Sequence, residues 1–172
     1  MSELIVNKVA ESALITIDLE IFLTKEVPEI FDLKGYLFKE LILKEKDFRE
    51  ALLNIQWEQY KNKTVLVSCS VDAVIPVWAY MLLAINLKQH SKSVIMETEA
   101  EWQTKELLNN IRNLNVEEFS GKRIVIKGCG EKEIPAEAYF EIALKLQPYA
   151  KSIMYGEPCS TVPVYKKSKT KN

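Results

Sequence analysis

Four short apolar runs mark the middle and end of the chain: "TVLVSC" (64–69), "SVIME" (93–97), "RIVIKG" (123–128) and "SIMYG" (152–156). Each has the length of a strand and is apolar enough to be covered on both faces. Helical stretches separate them. The first, about Pro76 to Gln89, has proline at its start, where a missing N–H costs nothing. It is apolar on nearly every side, so deep burial is expected. The second, about Ala100 to Leu114, gathers Trp102, Leu107, Leu108, Ile111 and Leu114 on one side. The third, Pro135 to Leu146, carries Tyr139, Phe140, Ile142, Ala143 and Leu146. Strand–helix alternation of this kind predicts parallel strands joined by right-handed crossovers. The fold class expected is α/β, a single domain with a mostly parallel sheet and covering helices. The usual doubly wound (Rossmann-like) order is second, first, third, fourth, or 2-1-3-4.

The N-terminal third is less regular. "LITIDLEI" (14–21) alternates apolar and polar residues, as in a half-exposed strand. Beyond it, a helical turn, a short strand near Leu41 to Leu43 and a helix from about Asp47 are expected. This region reads as an α+β extension of the same domain, residues 1–165. The lysine-rich end, 166–172, reads as a disordered basic tail.

Composition narrows the class only slightly. At 172 residues, 48% hydrophobic and 27% charged, the chain matches ordinary globular usage and is long enough for a real core. A net charge of -1 provides no global attraction to nucleic acid. The most apolar run, Ile75 to Ile85, is too short to cross a bilayer. No charged-then-apolar leader opens the sequence, so a soluble cytoplasmic protein is expected, with neither nucleic acid nor membrane as a partner. The three cysteines, an odd number, fit reduced thiols better than a disulfide framework.

Those cysteines carry the candidate chemistry. Cys69 ends the first apolar strand, Cys129 follows the third, and Cys159 follows the fourth. All three fall at carboxyl ends of strands, where open α/β sheets place their ligand sites. In the 2-1-3-4 order the three strands are neighbours about 4.8 Å apart, so inward-turning loops would bring the sulfurs together. Thiolates suit soft centres, here zinc or an iron–sulfur cluster. Three thiols leave one position open or need a fourth ligand, and Asp72, Glu131 and Glu157 are the oxygen donors nearby. None of the spacings matches a C-x-x-C signature, and inert packing of small apolar thiols remains the alternative. His90, the only histidine, falls at the far end of the first helix, roughly 20 Å from that edge. A Cys–His nucleophilic pair within the chain is therefore not expected.

Two other readings stay open. Backbone N–H groups around Ser70, Asp72 and Gly130, with the Ser160 and Thr161 hydroxyls, form a candidate anion site at the same edge, for an enzyme or a binding protein. "GCG" is no nucleotide-binding motif. Alternatively Trp57, Trp78 and Trp102 serve as anchors for a protein partner, although Trp78 is expected in the core.

The stretches "IVNKVAESALITIDL" (5–19), "LILKEKDFREAL" (41–52), "PVWAYMLLA" (76–84), "IKGC" (126–129) and "KSIMYGEPCSTVPVYK" (151–166) resemble an uncharacterised bacterial family, a domain of unknown function. The resemblance runs nearly end to end. Members of that family are often encoded near iron–sulfur cluster assembly genes. It therefore implies an accessory role in iron–sulfur metabolism with assembly proteins as partners, and it carries Cys69, Cys129 and Cys159 without assigning them a role.

Overall fold

The computed structural model describes residues 14–128, 130 and 132–168. Among these, the strands are β1 (Leu14–Asp18), β2 (Glu29–Asp32), β3 (Thr64–Ser68), β4 (Ser93–Ile95), β5 (Arg123–Lys127), β6 (Ser152–Glu157) and β7 (Ser160–Lys166). The α-helices are α1 (Glu45–Leu53), α2 (Val77–His90), α3 (Glu99–Arg112) and α4 (Ala136–Leu146). The chain forms two compact units: Lys25–Trp102, and the residues up to Thr24 together with those from Gln103 onward.

The Lys25–Trp102 unit is built on a parallel three-stranded sheet in the order β2-β3-β4. The central strand is apolar at Val65, Leu66 and Val67, all buried, as a strand covered on both faces requires. Phe31, Leu33, Phe48, Leu83 and Leu87 form the core beside it. In α1, Phe48 and Leu52 fall one turn apart and face inward, while Glu45 and Arg49 pair on the solvent side at 2.9 Å. Thr64 is the one buried polar residue among those described, and its hydroxyl meets Glu26 at 2.6 Å and Ser93 at 2.8 Å. α2 begins after Pro76, and Ala79, Leu83 and Leu87 form its inner face. The deep burial expected for this helix holds on that face alone: Val77, Met81 and Ile85 lie on the opposite side and are exposed. Trp78, expected in the core, is half-buried, with the Arg49 guanidinium 5.7 Å from its ring.

The other unit holds a four-stranded sheet in the order β1-β5-β6-β7. β1, β5 and β6 are parallel, and β7 returns antiparallel to β6 at the edge. Ile17, Ile124, Ile126 and Ile153 present one face to Leu107 and Ile111 of α3 and to Ala138, Ile142 and Leu146 of α4. A capping box starts α3: the Thr98 amide donates to Glu101 at 2.8 Å, and the Glu101 amide donates to the Thr98 hydroxyl at 3.3 Å.

The expected 2-1-3-4 order meets two sheets instead of one. The pairs β3–β4 and β5–β6 are present, but β3 takes β2 as its other neighbour and β5 takes β1. Both inserted strands come from the N-terminal third. The segment after β6 is the strand β7, and pairing continues through Lys166, the first residue of the expected tail. Pro163 lacks an N–H, which an edge strand tolerates, and a register shift beside it leaves Val164 without a ladder partner, since Ile153 meets Tyr165 and Met154 meets Pro163.

Candidate functional site

A three-thiol centre at one sheet edge needs its cysteine-bearing strands to be neighbours. Cys69 follows β3 in the three-stranded sheet, whereas Cys159 sits in the two-residue turn between β6 and β7 of the other sheet. Cys129 and Glu131 lie outside the described residues. The Cys69 thiol is half-buried and donates to the Val71 carbonyl of its own loop at 3.3 Å, while Cys159 is exposed. Among the described residues no three His, Cys, Asp or Glu side chains are grouped so as to hold a metal ion. The 2-1-3-4 strand order, which made the cysteine-bearing strands neighbours, is not the one this chain adopts. His90 ends α2, fourteen residues of helix beyond the Cys69 loop, and stacks on Trp57 at 5.4 Å.

The expected anion ligands fall on both sheets' units, and a carboxylate already stands beside Ser70 and beside Gly130. The Ser70 amide and hydroxyl both donate to Asp32, at 3.0 and 2.6 Å. Burial works to raise the Asp32 carboxyl, but bonds from Ser70 and from the Lys34 amide outweigh it and hold the group below its usual range. An anion at Ser70 would have to displace a carboxylate already seated there. Asp72 is exposed and does not cap α2, whose cap residue is Pro76. Gly130 packs against the Glu20 carboxylate so closely that a Cβ would collide with it. Ser160 and Thr161 are strand residues of β7, and Thr161 turns its hydroxyl toward the Met154 sulfur at 3.7 Å.

At the carboxyl edge of the four-stranded sheet, charges close on one another. Asp18 ends β1, Lys127 ends β5, and they pair at 3.1 Å in direct register. The Asp18 hydrogen bond, its charge, and the more distant Glu157 and Glu20 raise the Lys127 ammonium above its usual range. This edge is neutral to acidic, and its lysine is committed.

The opening at this edge is apolar. A cavity of about 660 Å³ lies between α4 and strands β5, β6 and β7. Ile126, Ile134, Phe140 and Val164 line it, with Tyr139 and Tyr155 crossing edge to face at 5.5 Å. Among the described residues Glu133 is the only carboxylate in the wall. The backbone explains the shape. At Gly128 a Cβ would strike the Tyr139 hydroxyl and lie 3.1 Å from Ile134, so glycine alone lets the end of β5 run this close to α4. On α4 the core uses Ala138, Ile142 and Leu146, leaving Phe140 67% exposed and turned to the opening.

Sequence reasoning placed Tyr139 and Phe140 on the helix but drew no site from them. The available signal was that α4 has more large apolar residues than one stripe can bury. No helix among the described residues is long and apolar enough to cross a membrane. No curated protein and no solved structure matches the chain. Residues 3–167 match the model of the family described as Protein of unknown function (DUF2480), and the chain belongs to that family.

Proposed function

We propose that the protein binds a small, largely apolar ligand in the cavity beside α4. One observation carries the reading: an open cavity of about 660 Å³ at the carboxyl ends of parallel strands, walled by apolar side chains. Its size suits a small organic molecule, and its place is where open α/β sheets take their ligands. Tyr139 and Tyr155 supply flat surfaces for an aromatic ring and phenols at their tips. Glu133 gives the mouth a negative charge, so the wall favours a neutral or cationic guest over an anion. The described residues of the cavity offer a binding surface, and binding is the activity assigned.

The test uses indole as a neutral aromatic probe, titrated by NMR with methyl signals of Met154, Ile126 and Val164 as reporters. Those signals should move together and saturate. Ala143→Trp, which places a ring into the cavity wall, should abolish the shifts while circular dichroism stays unchanged. Indole binding that is equal in both proteins, or absent from the wild type, overturns the reading.

A further inference from the structure

A second cavity, of about 520 Å³, lies on the opposite face of the same sheet and runs along β6 and β7 from the Lys151 end to the Pro158 turn. It is lined by Leu14, Arg123 and Ser152, the first residues of β1, β5 and β6. Strand alternation puts Leu14, Arg123, Ser152 and Met154 on the face opposite Ile124 and Ile153, the residues that meet α3 and α4. Its charges are unlike those of the first cavity. Arg123, Lys151, Lys166 and Lys167 all line it, and among the described residues no carboxylate does.

The chain has 23 Lys and Arg against 24 Asp and Glu, so a carboxylate is available for nearly every cation. Several cations elsewhere are paired: Lys63 meets Glu29, Lys92 meets Glu26, Arg112 meets Glu141 and Lys127 meets Asp18. None of the four cavity cations has an ion pair among the described residues. Four like charges held around one opening repel each other and concentrate positive potential there. Two of them are fixed by pairing: Lys166 lies opposite Ser152 in the ladder, and the Lys167 amide donates to the Lys151 carbonyl at 2.9 Å. The floor between the charges is apolar, made by Leu14, Met154 and Pro163.

We infer that this cavity is a binding site for a nucleoside polyphosphate, with the phosphates on the four cations and the base on the apolar floor. Inorganic phosphate would leave the floor unused, and a neutral ring would leave the charges unanswered. Arg123 offers a two-pronged contact to a phosphate, and the lysines offer point charges. The volume lies within the range of small-molecule sites. The bulge at Ile153/Met154, together with Pro163, shapes the floor.

The experiment is calorimetric titration of the full chain at low salt with ADP, pyrophosphate, adenosine and a single-stranded octanucleotide, each mapped by amide shifts. ADP should bind tightest, at least about tenfold better than pyrophosphate or adenosine, and should shift the amides of residues 152–154 and 161–166. The double variant R123Q/K166Q should weaken ADP by about tenfold or more, and raising the salt should weaken it in the wild type. K127Q, at the opposite edge, should leave ADP binding unchanged. ADP binding no tighter than pyrophosphate, equal binding by R123Q/K166Q, shifts confined to other residues, or a tighter fit by the octanucleotide would each overturn the inference, the last in favour of a nucleic-acid surface.

Discussion

Replacing Gly156 by alanine isolates a strain that the fold accepts only from glycine. Gly156 lies inside β6 with φ at +117° and pairs with Thr161 across the hairpin. A Cβ added there would sit 2.6 Å from the Ser160 carbonyl oxygen, a main-chain atom that cannot swing aside. The dihedral alone costs an L-residue about 1–3 kcal/mol. Relieving the contact requires the two-residue Pro158–Cys159 turn to open, so the total should reach roughly 2–4 kcal/mol. For a chain of this size that lowers Tm by about 5–15 °C if the sheet unfolds as one. Calorimetry reads the shift, and hydrogen exchange shows where it originates: amides of residues 152–157 and 160–166 should lose protection before those of β3. Gly35→Ala is the control, since nothing lies within 4 Å of its Cβ position. A Gly156→Ala protein with unchanged Tm and hairpin protection would show that the backbone there is not held in this conformation.

Phe48→Ala, at a fully buried ring between Tyr36 and Trp78, should cost about 3–5 kcal/mol in urea unfolding. A loss under about 1 kcal/mol would mean the core beside β3 is loosely packed. Glu26 is held below its usual carboxylate range by hydrogen bonds from Lys92 and Thr64, against an opposing push from burial. A depressed folded-state pKa adds stability above the unfolded value, and that stability is lost as pH falls through and below 4.5. Glu26→Gln should therefore flatten the acid limb of a stability–pH curve, and an unchanged limb would assign acid sensitivity to other carboxylates. Cys159 is exposed and Cys69 half-buried, so a thiol reagent should modify Cys159 at least about tenfold faster. Equal rates would contradict the placement of Cys69 against its own loop.

The strands and helices with strong local pattern were legible, because burial on both faces is written into runs such as "TVLVSC" and "RIVIKG". Pairing was not. Nothing in Thr64–Ser68 distinguishes β2 from β5 as a neighbour, and "EIFD" (29–32) is too short and too polar to announce itself as a strand. "STVPVYK" hid β7 because an interior proline argues against a strand until the strand is known to be an edge. Once a second sheet exists, the inference that three cysteine-bearing strands adjoin loses its premise. The cavity beside α4 draws on residues from β5, α4, β6 and β7, which no local spacing brings together. The four cations of the opposite cavity are scattered from 123 to 167 and read in sequence as ordinary surface charge.

The order of the strands along the chain also sets a schedule for their assembly. β1 is made first, but its ladder partner β5 is about a hundred residues away, with the entire Lys25–Trp102 unit in between. At a synthesis rate of about 5–20 residues per second, β1 waits on the order of ten seconds for its partner. The three-stranded sheet, whose parts all lie within one continuous stretch, is complete before that wait ends. During nascent-chain growth the Leu14–Asp18 segment thus emerges as an unsatisfied apolar strand edge, open to a chaperone or to a neighbouring ribosome's product. A circular permutant that starts at Lys25 and joins the two termini would make β1 after β5 and remove the delay.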